Sequence, residues 1–218
     1  MTMTASSSSS SRLCDLTVGE FLAALAGATP TPGGGSAAAL AGALGGALVA
    51  MVARLTLGRE HYAGVQEEMA HVCDHAEALR LSLSALVDAD AAAYDQVTGA
   101  YRLPKDTETA RLQRAEAIQQ ALQRAVQVPL EVTAACADVL GLASQVAALG
   151  NRNAASDAAV AALLAHAGLK AAARNVRINL AGIQNKAFCE SAGLRAAQLE
   201  TIGEQALAEA LTAADAGG

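Results

Sequence analysis

Asp90 is the side chain whose type and spacing point most clearly to acid–base chemistry. Val87 precedes it by three residues and Tyr94 follows it by four, so one apolar helix face would carry all three. A carboxyl group on such a face must be paired, hydrogen-bonded or protonated, and burial would raise its pKa toward the range useful for proton transfer. A structural aspartate, satisfied by a backbone N–H or an arginine, would show the same pattern, and position alone favours that alternative.

Asp88, the other carboxylate of the Asp-Ala-Asp sequence, faces a different way. Two residues correspond to about 200° around an α-helix, which places Asp88 on the side of Ser84 and Asp95. That side is expected to be solvated or to lie at an interface. Asp88 is therefore a candidate binding residue rather than the candidate acid.

A proline- and glycine-rich stretch, Thr-Pro-Thr-Pro-Gly-Gly-Gly-Ser, ends at Ser36 and is the second feature able to build a site. Pro30 and Pro32 fix φ and keep the preceding residues extended. The three glycines, residues 33–35, allow the backbone to approach a ligand closely. Ser36 is predicted to cap the following helix, whose free N–H groups would then offer a site for an anion or a carbonyl group.

The helix after this loop carries no charge until Arg54, which raises the question of a membrane span. Most of its residues are alanine and glycine, which give little free energy of insertion, and the later segments are amphipathic and charged. Gly42 and Gly46 would allow close contact with a neighbouring helix. We therefore expect a buried central helix of a protein that does not enter the membrane.

Polar residues in the second half of the chain could complete a site. Asn151 lies in a turn, and Ser156 with Asp157 begins the next helix. Asn175 and Asn179 are one helical turn apart and border an apolar stripe, where an asparagine pair can read the donors and acceptors of a ligand or bond two helices together.

A short basic edge runs along the same segment as this asparagine pair. Lys170, Arg174 and Arg177 follow one another at helical spacing, and a solvated face is at least as good an explanation for them as a ligand contact. Arg174 and Lys170 are the candidates for an anionic group of the ligand.

Composition predicts an all-α protein, a single-domain antiparallel bundle of long Ala/Leu-rich helices. Hydrophobic residues make up 53% of the 218 residues but aromatic residues only 2%, so the core must be packed by Ala, Leu and Val. A net charge of −6 with interspersed signs argues against nucleic-acid binding. The four cysteines have no paired spacing, and His71 with His75 lacks further ligands, so no metal site is predicted.

The chain divides into a disordered Ser-rich tail over residues 1–12, a helical domain over 13–214 and a C-terminal tail over 215–218. The first segment has no apolar core of a secretory signal, so a cytoplasmic protein is expected. Two positions leave the helix pattern open: Pro129 either kinks a long helix or starts a new one, and Gly168 interrupts the pattern before a helix over 169–187.

Eight short segments form an ordered set along the chain. They are F-L-A-A-L-A near Phe21, P-T-P-G-G-G-S at Pro30–Ser36, L-T-L-G near Gly58, L-V-D-A-D-A-x-A-Y at Leu86–Tyr94, L-P-K at Leu103, V-P-L at Val128, G-N-x-x-x-x-S-D at Gly150–Asp157, and N-V-x-I-N-L at Asn175–Leu180. Together, over nearly all of residues 14–210, they resemble the cyclodeaminase module of the formiminotransferase-cyclodeaminase family. The glycine loop alone is a weak signal, whereas the ordered set is specific.

The resemblance implies a dimeric helical enzyme that binds a folate near the subunit interface and releases ammonia from 5-formiminotetrahydrofolate to give 5,10-methenyltetrahydrofolate. Asp90 matches the family's catalytic aspartate, and no cofactor beyond the tetrahydrofolate substrate is implied. Alternatives are a methenyltetrahydrofolate cyclohydrolase, giving 10-formyltetrahydrofolate, and a non-catalytic helical dimer. The candidate substrate-binding residues are Pro32, Gly33, Gly34, Gly35, Ser36, Asp88, Asn151, Ser156, Asp157, Arg174, Asn175 and Asn179.

Overall fold

Six α-helices make up the bundle in the computed structural model, which describes residues 12–216, and no strand occurs in that range. Most of the predicted Ser-rich tail lies outside the described residues. The helices are α1 (Val18–Leu25), α2 (Gly34–Thr56), α3 (Gln66–Tyr101), α4 (Glu108–Leu149), α5 (Ala155–Leu180) and α6 (Lys186–Asp215). Short 3-10 helices cover Leu13–Asp15, Glu60–Val65 and Arg152–Ala154. The predicted all-α fold is confirmed.

Helix α2 is the central element and packs against α3, α4 and α5. Gly35 faces Asp90 near its start, whereas Gly42 faces Leu83 further along, so α2 and α3 run antiparallel. Helices α2 and α4 are long and apolar enough to span a membrane, but 61% of the apolar window of each is buried inside the bundle. This burial is what core helices of a helical bundle require.

Helices α2 and α5 differ from the sequence prediction, and the structure decides between the two alternatives left open at Pro129. Helix α2 begins at Gly34 with Gly33 as its N-cap, so the prediction that Ser36 caps the helix is wrong. Helix α3 begins only at Gln66, after a 3-10 segment. Helix α5 continues through Gly168 and ends at Leu180, and α4 continues through Pro129.

Gly168 does not end a helix; it lies inside α5 where that helix packs closely against α2. A β-carbon at Gly168 would lie 2.7 Å from the carbonyl oxygen of Ala38 and 3.1 Å from the backbone nitrogen of Gly42. These backbone atoms of α2 cannot move aside as a flexible side chain could. The glycine therefore sets the close approach of α5 to α2.

Replacing Gly168 with alanine is expected to lower the free energy of unfolding by about 1–3 kcal/mol, because the added methyl group forces α2 and α5 apart. Gly141 in α4 is the matched control, since a β-carbon there meets no atom within 4 Å. Gly141→Ala should raise stability by about 0.5–1 kcal/mol through helix propensity. Urea unfolding of both variants measures the difference, and equal stability would contradict the packing role of Gly168.

Candidate active site

The start of α2 meets the middle of α3 at Asp90. The Ser36 hydroxyl, fully buried, lies 3.1 Å from Oδ2 of Asp90 and 3.0 Å from the carbonyl oxygen of Val87. A β-carbon at Gly35 would overlap the Asp90 carboxyl group. Because Gly35 has no side chain, the Asp90 carboxyl group can pack against the first turn of α2, where the Ser36 hydroxyl contacts Oδ2.

The surroundings of Asp90 act in opposite directions on the pKa of its carboxyl group. Burial raises the pKa of Asp90 above its ordinary value, and the hydrogen bonds from the side chain and backbone of Ser36 oppose this rise. Oδ1 of Asp90 lies against Gly35, and the Asp90 side chain also borders a cavity. Asp90 therefore stands at the wall of that cavity while Ser36 contacts its Oδ2.

Ser36→Ala should move the titration midpoint of Asp90 to higher pH, because burial would remain and the hydrogen bond that stabilises the ionised form would be lost. The ¹³Cγ shift of Asp90, followed by NMR against pH, measures this midpoint. Ser84→Ala is the control, since that hydroxyl donates to Arg80 on the same helix without touching Asp90. A midpoint that stays fixed or falls in Ser36→Ala would contradict the role given to Ser36.

A cavity of about 330 Å³ opens next to Asp90. Asp90 is its one carboxyl group, and no lysine or arginine is among the described residues that line it. The lining combines the glycine loop with α3, α4 and α5: Pro30, Thr31, Gly33, Gly34, Asp90, Ala93, Tyr94, Val97, Leu122, Ala125, Asn175 and Asn179. A mostly apolar wall with a few polar groups is typical of a small-molecule site.

The structure brings five predicted site residues to this cavity: Gly33, Gly34, Asp90, Asn175 and Asn179. Asn179 donates from Nδ2 to the carbonyl oxygen of Ala125, at 2.7 Å. Sequence reasoning did not include Tyr94 and Val97 in the site, although both lie on the apolar stripe of Asp90. It had no signal for Leu122 and Ala125, which reach the cavity only through the packing of α4.

Asp88 and Pro32 lie in a neighbouring cavity of about 380 Å³ instead. Oδ1 of Asp88 accepts a hydrogen bond from the Leu13 amide at 2.5 Å, and its Oδ2 lies 3.5 Å from Nε of Arg12. The carboxylate therefore anchors the chain before α1 to α3. This placement agrees with the interfacial side predicted for Asp88.

Asn151, Ser156 and Asp157 are not among the residues that line the Asp90 cavity. Nδ2 of the Asn151 side chain donates to the Leu55 carbonyl oxygen at 3.0 Å, and the backbone N–H of Asn151 donates to the Thr56 hydroxyl at 2.9 Å. Asn151 therefore connects the turn before α5 to the end of α2. Ser156 is exposed. Their role in substrate binding stays a prediction.

Two of the three residues of the basic edge on α5 form ion pairs with α6. Lys170 pairs with Glu200 and Glu204, and Arg177 pairs with Glu200, so these two cations connect the helices. Arg174 is exposed and does not line the Asp90 cavity. Its predicted contact with an anionic ligand group remains a prediction.

His71 and His75 are exposed beside a separate cavity of about 530 Å³ between α3 and α4. Across the part of the chain that the structure describes, no three His, Cys, Asp or Glu side chains are grouped as metal ligands.

The chain resembles known proteins in both sequence and fold. Residues 17–198 match the family model described as formiminotransferase-cyclodeaminase. A methenyltetrahydrofolate cyclohydrolase from Methylorubrum extorquens is 47% identical over 80% of this chain and 84% of the relative. The formimidoyltransferase-cyclodeaminase of Rattus norvegicus is 35% identical over 86% of this chain, which spans only 35% of that longer protein.

A solved structure extends the likeness to the whole bundle. The formiminotetrahydrofolate cyclodeaminase from Thermotoga maritima superposes with a TM-score of 0.84 at 31% identity, over 92% of this chain and 96% of that one. The range that matches the family model, residues 17–198, includes the residues that line the Asp90 cavity. This chain belongs to the formiminotransferase-cyclodeaminase family.

Proposed function

We propose that this chain hydrolyses 5,10-methenyltetrahydrofolate to 10-formyltetrahydrofolate, with Asp90 as the group that moves protons. The chain is a folate one-carbon enzyme of the cyclodeaminase and cyclohydrolase type, as its family and relatives have it. The observation that carries the proposal is that, among the described residues lining the cavity, Asp90 supplies the single carboxyl group and no lysine or arginine occurs. The 47% identity to a cyclohydrolase of similar length supports hydrolysis over the alternatives.

The proposed reaction balances through one carboxyl group. The Asp90 carboxylate takes a proton from water as the water oxygen bonds to the methenyl carbon. The tetrahedral intermediate then breaks its bond to N5, which takes the proton from Asp90. The hydroxyl proton leaves to solvent as the formyl group on N10 forms, so cation and water yield the neutral product and one proton.

The charge of the cavity suits this substrate. The methenyl bridge of the folate is a cation, and Asp90 is the one carboxylate among the described lining residues, with no lysine or arginine beside it. A bound cation favours the ionised form of a nearby carboxylate, which is the form that accepts a proton from water. Burial and substrate charge thus act in opposite directions on the Asp90 proton.

Cyclodeamination is the second candidate, supported by the TM-score of 0.84 to a formiminotetrahydrofolate cyclodeaminase. N10 would attack the formimino carbon on N5 and form a tetrahedral intermediate. Asp90 would carry the proton from N10 to the leaving nitrogen, because that nitrogen departs as ammonia only when protonated. Asp90 has the same task in both reactions, and the one-carbon group of the substrate differs.

The remaining predictions concern the oligomeric state and the location of the protein in the cell. We propose a homodimer in the cytoplasm, and the exposed Leu44 on α2 and Leu163 on α5 support a partner surface. A non-catalytic helical dimer is the third candidate, which failure to bind any tetrahydrofolate would favour. The Asp90 cavity argues against it, since a structural carboxylate would not need an open side.

Paired assays distinguish the candidates. The purified chain is mixed with 5,10-methenyltetrahydrofolate and, separately, with 5-formiminotetrahydrofolate, and methenyl absorbance and ammonia are both followed against enzyme-free samples. We expect accelerated loss of methenyl absorbance with the first substrate. Ammonia release from the second substrate without accelerated methenyl loss from the first would assign cyclodeamination instead, and no turnover of either would reject both.

A further inference from the structure

Pro129 lies buried inside α4, where a proline removes a hydrogen bond from the helix. Because proline has no N–H, the carbonyl group four residues earlier, that of Ala125, loses its helical partner. A proline ring also crowds the carbonyl group four residues before it. The sequence motif Val-Pro-Leu at Val128 thus produces a free backbone acceptor one turn before the proline.

That acceptor is used by a residue of the active-site cavity. Nδ2 of Asn179, on α5, donates to the Ala125 carbonyl oxygen at 2.7 Å. Ala125 and Asn179 both line the cavity that contains Asp90. The Ala125 carbonyl oxygen, which Pro129 leaves without a helical donor, therefore accepts its hydrogen bond from a residue that lines the candidate site.

The contact decides which way the Asn179 amide points. An asparagine side chain has a donor end and an acceptor end, and a carbonyl oxygen can only face the donor end. With Nδ2 held by Ala125, the acceptor Oδ1 is the end left for another group. Oδ1 has no hydrogen-bond partner in the described part of the chain and is not sealed in the protein.

We propose that Pro129 is a positioning residue: it frees the Ala125 carbonyl group to orient Asn179, whose Oδ1 then accepts a hydrogen bond from an N–H of the folate's pterin ring. This inference rests on the folate activity proposed above. It assigns Asn179 the acceptor part of folate recognition and gives Pro129 a role in affinity without any contact to the ligand. Asp90 keeps the chemistry.

Pro129→Ala tests the proposal because alanine restores the N–H that donates to Ala125. The Asn179 amide then competes with that N–H for the carbonyl group and loses its fixed orientation. We expect the Kd for 5-formyltetrahydrofolate, a stable reduced folate, to rise about 3- to 10-fold by calorimetry, the loss of about one net hydrogen bond. The melting temperature should not fall, since alanine is the better helix residue.

A double-mutant cycle shows whether Pro129 acts through Asn179. Asn179→Ala should weaken folate binding about ten-fold, and adding Pro129→Ala to it should have no further effect. Pro104→Ala, in the exposed loop between α3 and α4, is the control for removing a proline and should leave the Kd unchanged. An unchanged Kd in Pro129→Ala, or additive effects in the double variant, would overturn the proposal.

A further readout separates this inference from the proposed function. The side-chain amide protons of Asn179 should exchange with solvent faster in Pro129→Ala than in the wild-type chain, which NMR measures without any substrate. Wild-type turnover combined with unaltered amide exchange would reject the orienting role alone. Absence of turnover with faster amide exchange would reject the folate activity but leave the contact between Pro129, Ala125 and Asn179 in place.

Discussion

Asp90→Asn is expected to slow folate turnover by about 10²- to 10⁴-fold, the contribution typical of a positioned general acid–base group. Asparagine keeps the shape of the side chain and can still bond to Ser36, but it cannot take a proton from water or return one to N5. Substrate affinity should change far less than kcat, because the cavity wall is retained. Steady-state kinetics over a range of folate concentrations separates the two effects.

The same variant should be no less stable than the wild-type chain at neutral pH. The pKa of Asp90 is raised by burial, so the folded state holds its proton more tightly than the unfolded state does. The carboxyl group thus gives its full stability below its unfolded pKa and loses it as pH rises through the folded value. Removing the charge avoids that loss at neutral pH, whereas the two proteins should differ least in acid.

Asp74→Asn is the control for this experiment, since Asp74 is exposed on the same helix. It removes one negative charge from α3 without touching the cavity, so turnover should be that of the wild-type chain. If Asp90→Asn is folded and turns over folate at the wild-type rate, Asp90 does not transfer the proton.

Gly35→Ala is expected to reduce turnover by about 10²-fold, because the new methyl group would occupy the place of the Asp90 carboxyl group. The carboxyl group is the mobile end of its side chain and would shift, so the bundle should remain folded. A displacement of about 1 Å from the productive geometry is enough for a loss of this size. Activity and circular dichroism, measured together, test both parts.

Gly34→Ala is the matched variant, one residue earlier in the same helix turn. A β-carbon at Gly34 meets no atom within 4 Å, so Asp90 should keep its place. Because Gly34 lines the cavity, its substitution is expected to alter KM rather than kcat. Equal kcat losses in the two variants would show that the glycine loop matters for some reason other than room for the carboxyl group.

Periodicity was sufficient to place Asp90, because the spacing of Val87, Asp90 and Tyr94 depends only on the geometry of one helix. Composition likewise predicted an all-α bundle, and the small residues of α2 predicted a helix in close contact with its neighbours. These features follow from local rules that act within a single segment.

The parts that sequence did not predict depend on contacts between distant segments. Ser36 has the right chemistry for an N-cap, yet its hydroxyl is used by Val87 and Asp90, more than fifty residues away. Gly168 resembles a helix break, whereas it allows α5 to approach α2. In each case a tertiary contact determines the role of the residue, and such a contact cannot be predicted from the local pattern of a single sequence.

Asn179 shows the same limit within the site. Its position beside an apolar stripe is compatible with ligand binding or with a bond between helices, and the structure shows the bond to Ala125 at a residue that also lines the cavity. The Ala125 carbonyl group is free to accept from Asn179 because Pro129 removes its helical donor, whereas the sequence pattern at Pro129 indicates only a kink or a helix start. Only the packing of α4 on α5 connects the two residues.

The most direct test of the account is the rate at which 5,10-methenyltetrahydrofolate absorbance disappears with the wild-type chain and with Asp90→Asn, both at saturating substrate. We predict a wild-type rate well above that of an enzyme-free sample, and a rate for Asp90→Asn lower by about 10²-fold or more. Equal rates for the two folded proteins would contradict the assignment of proton transfer to Asp90.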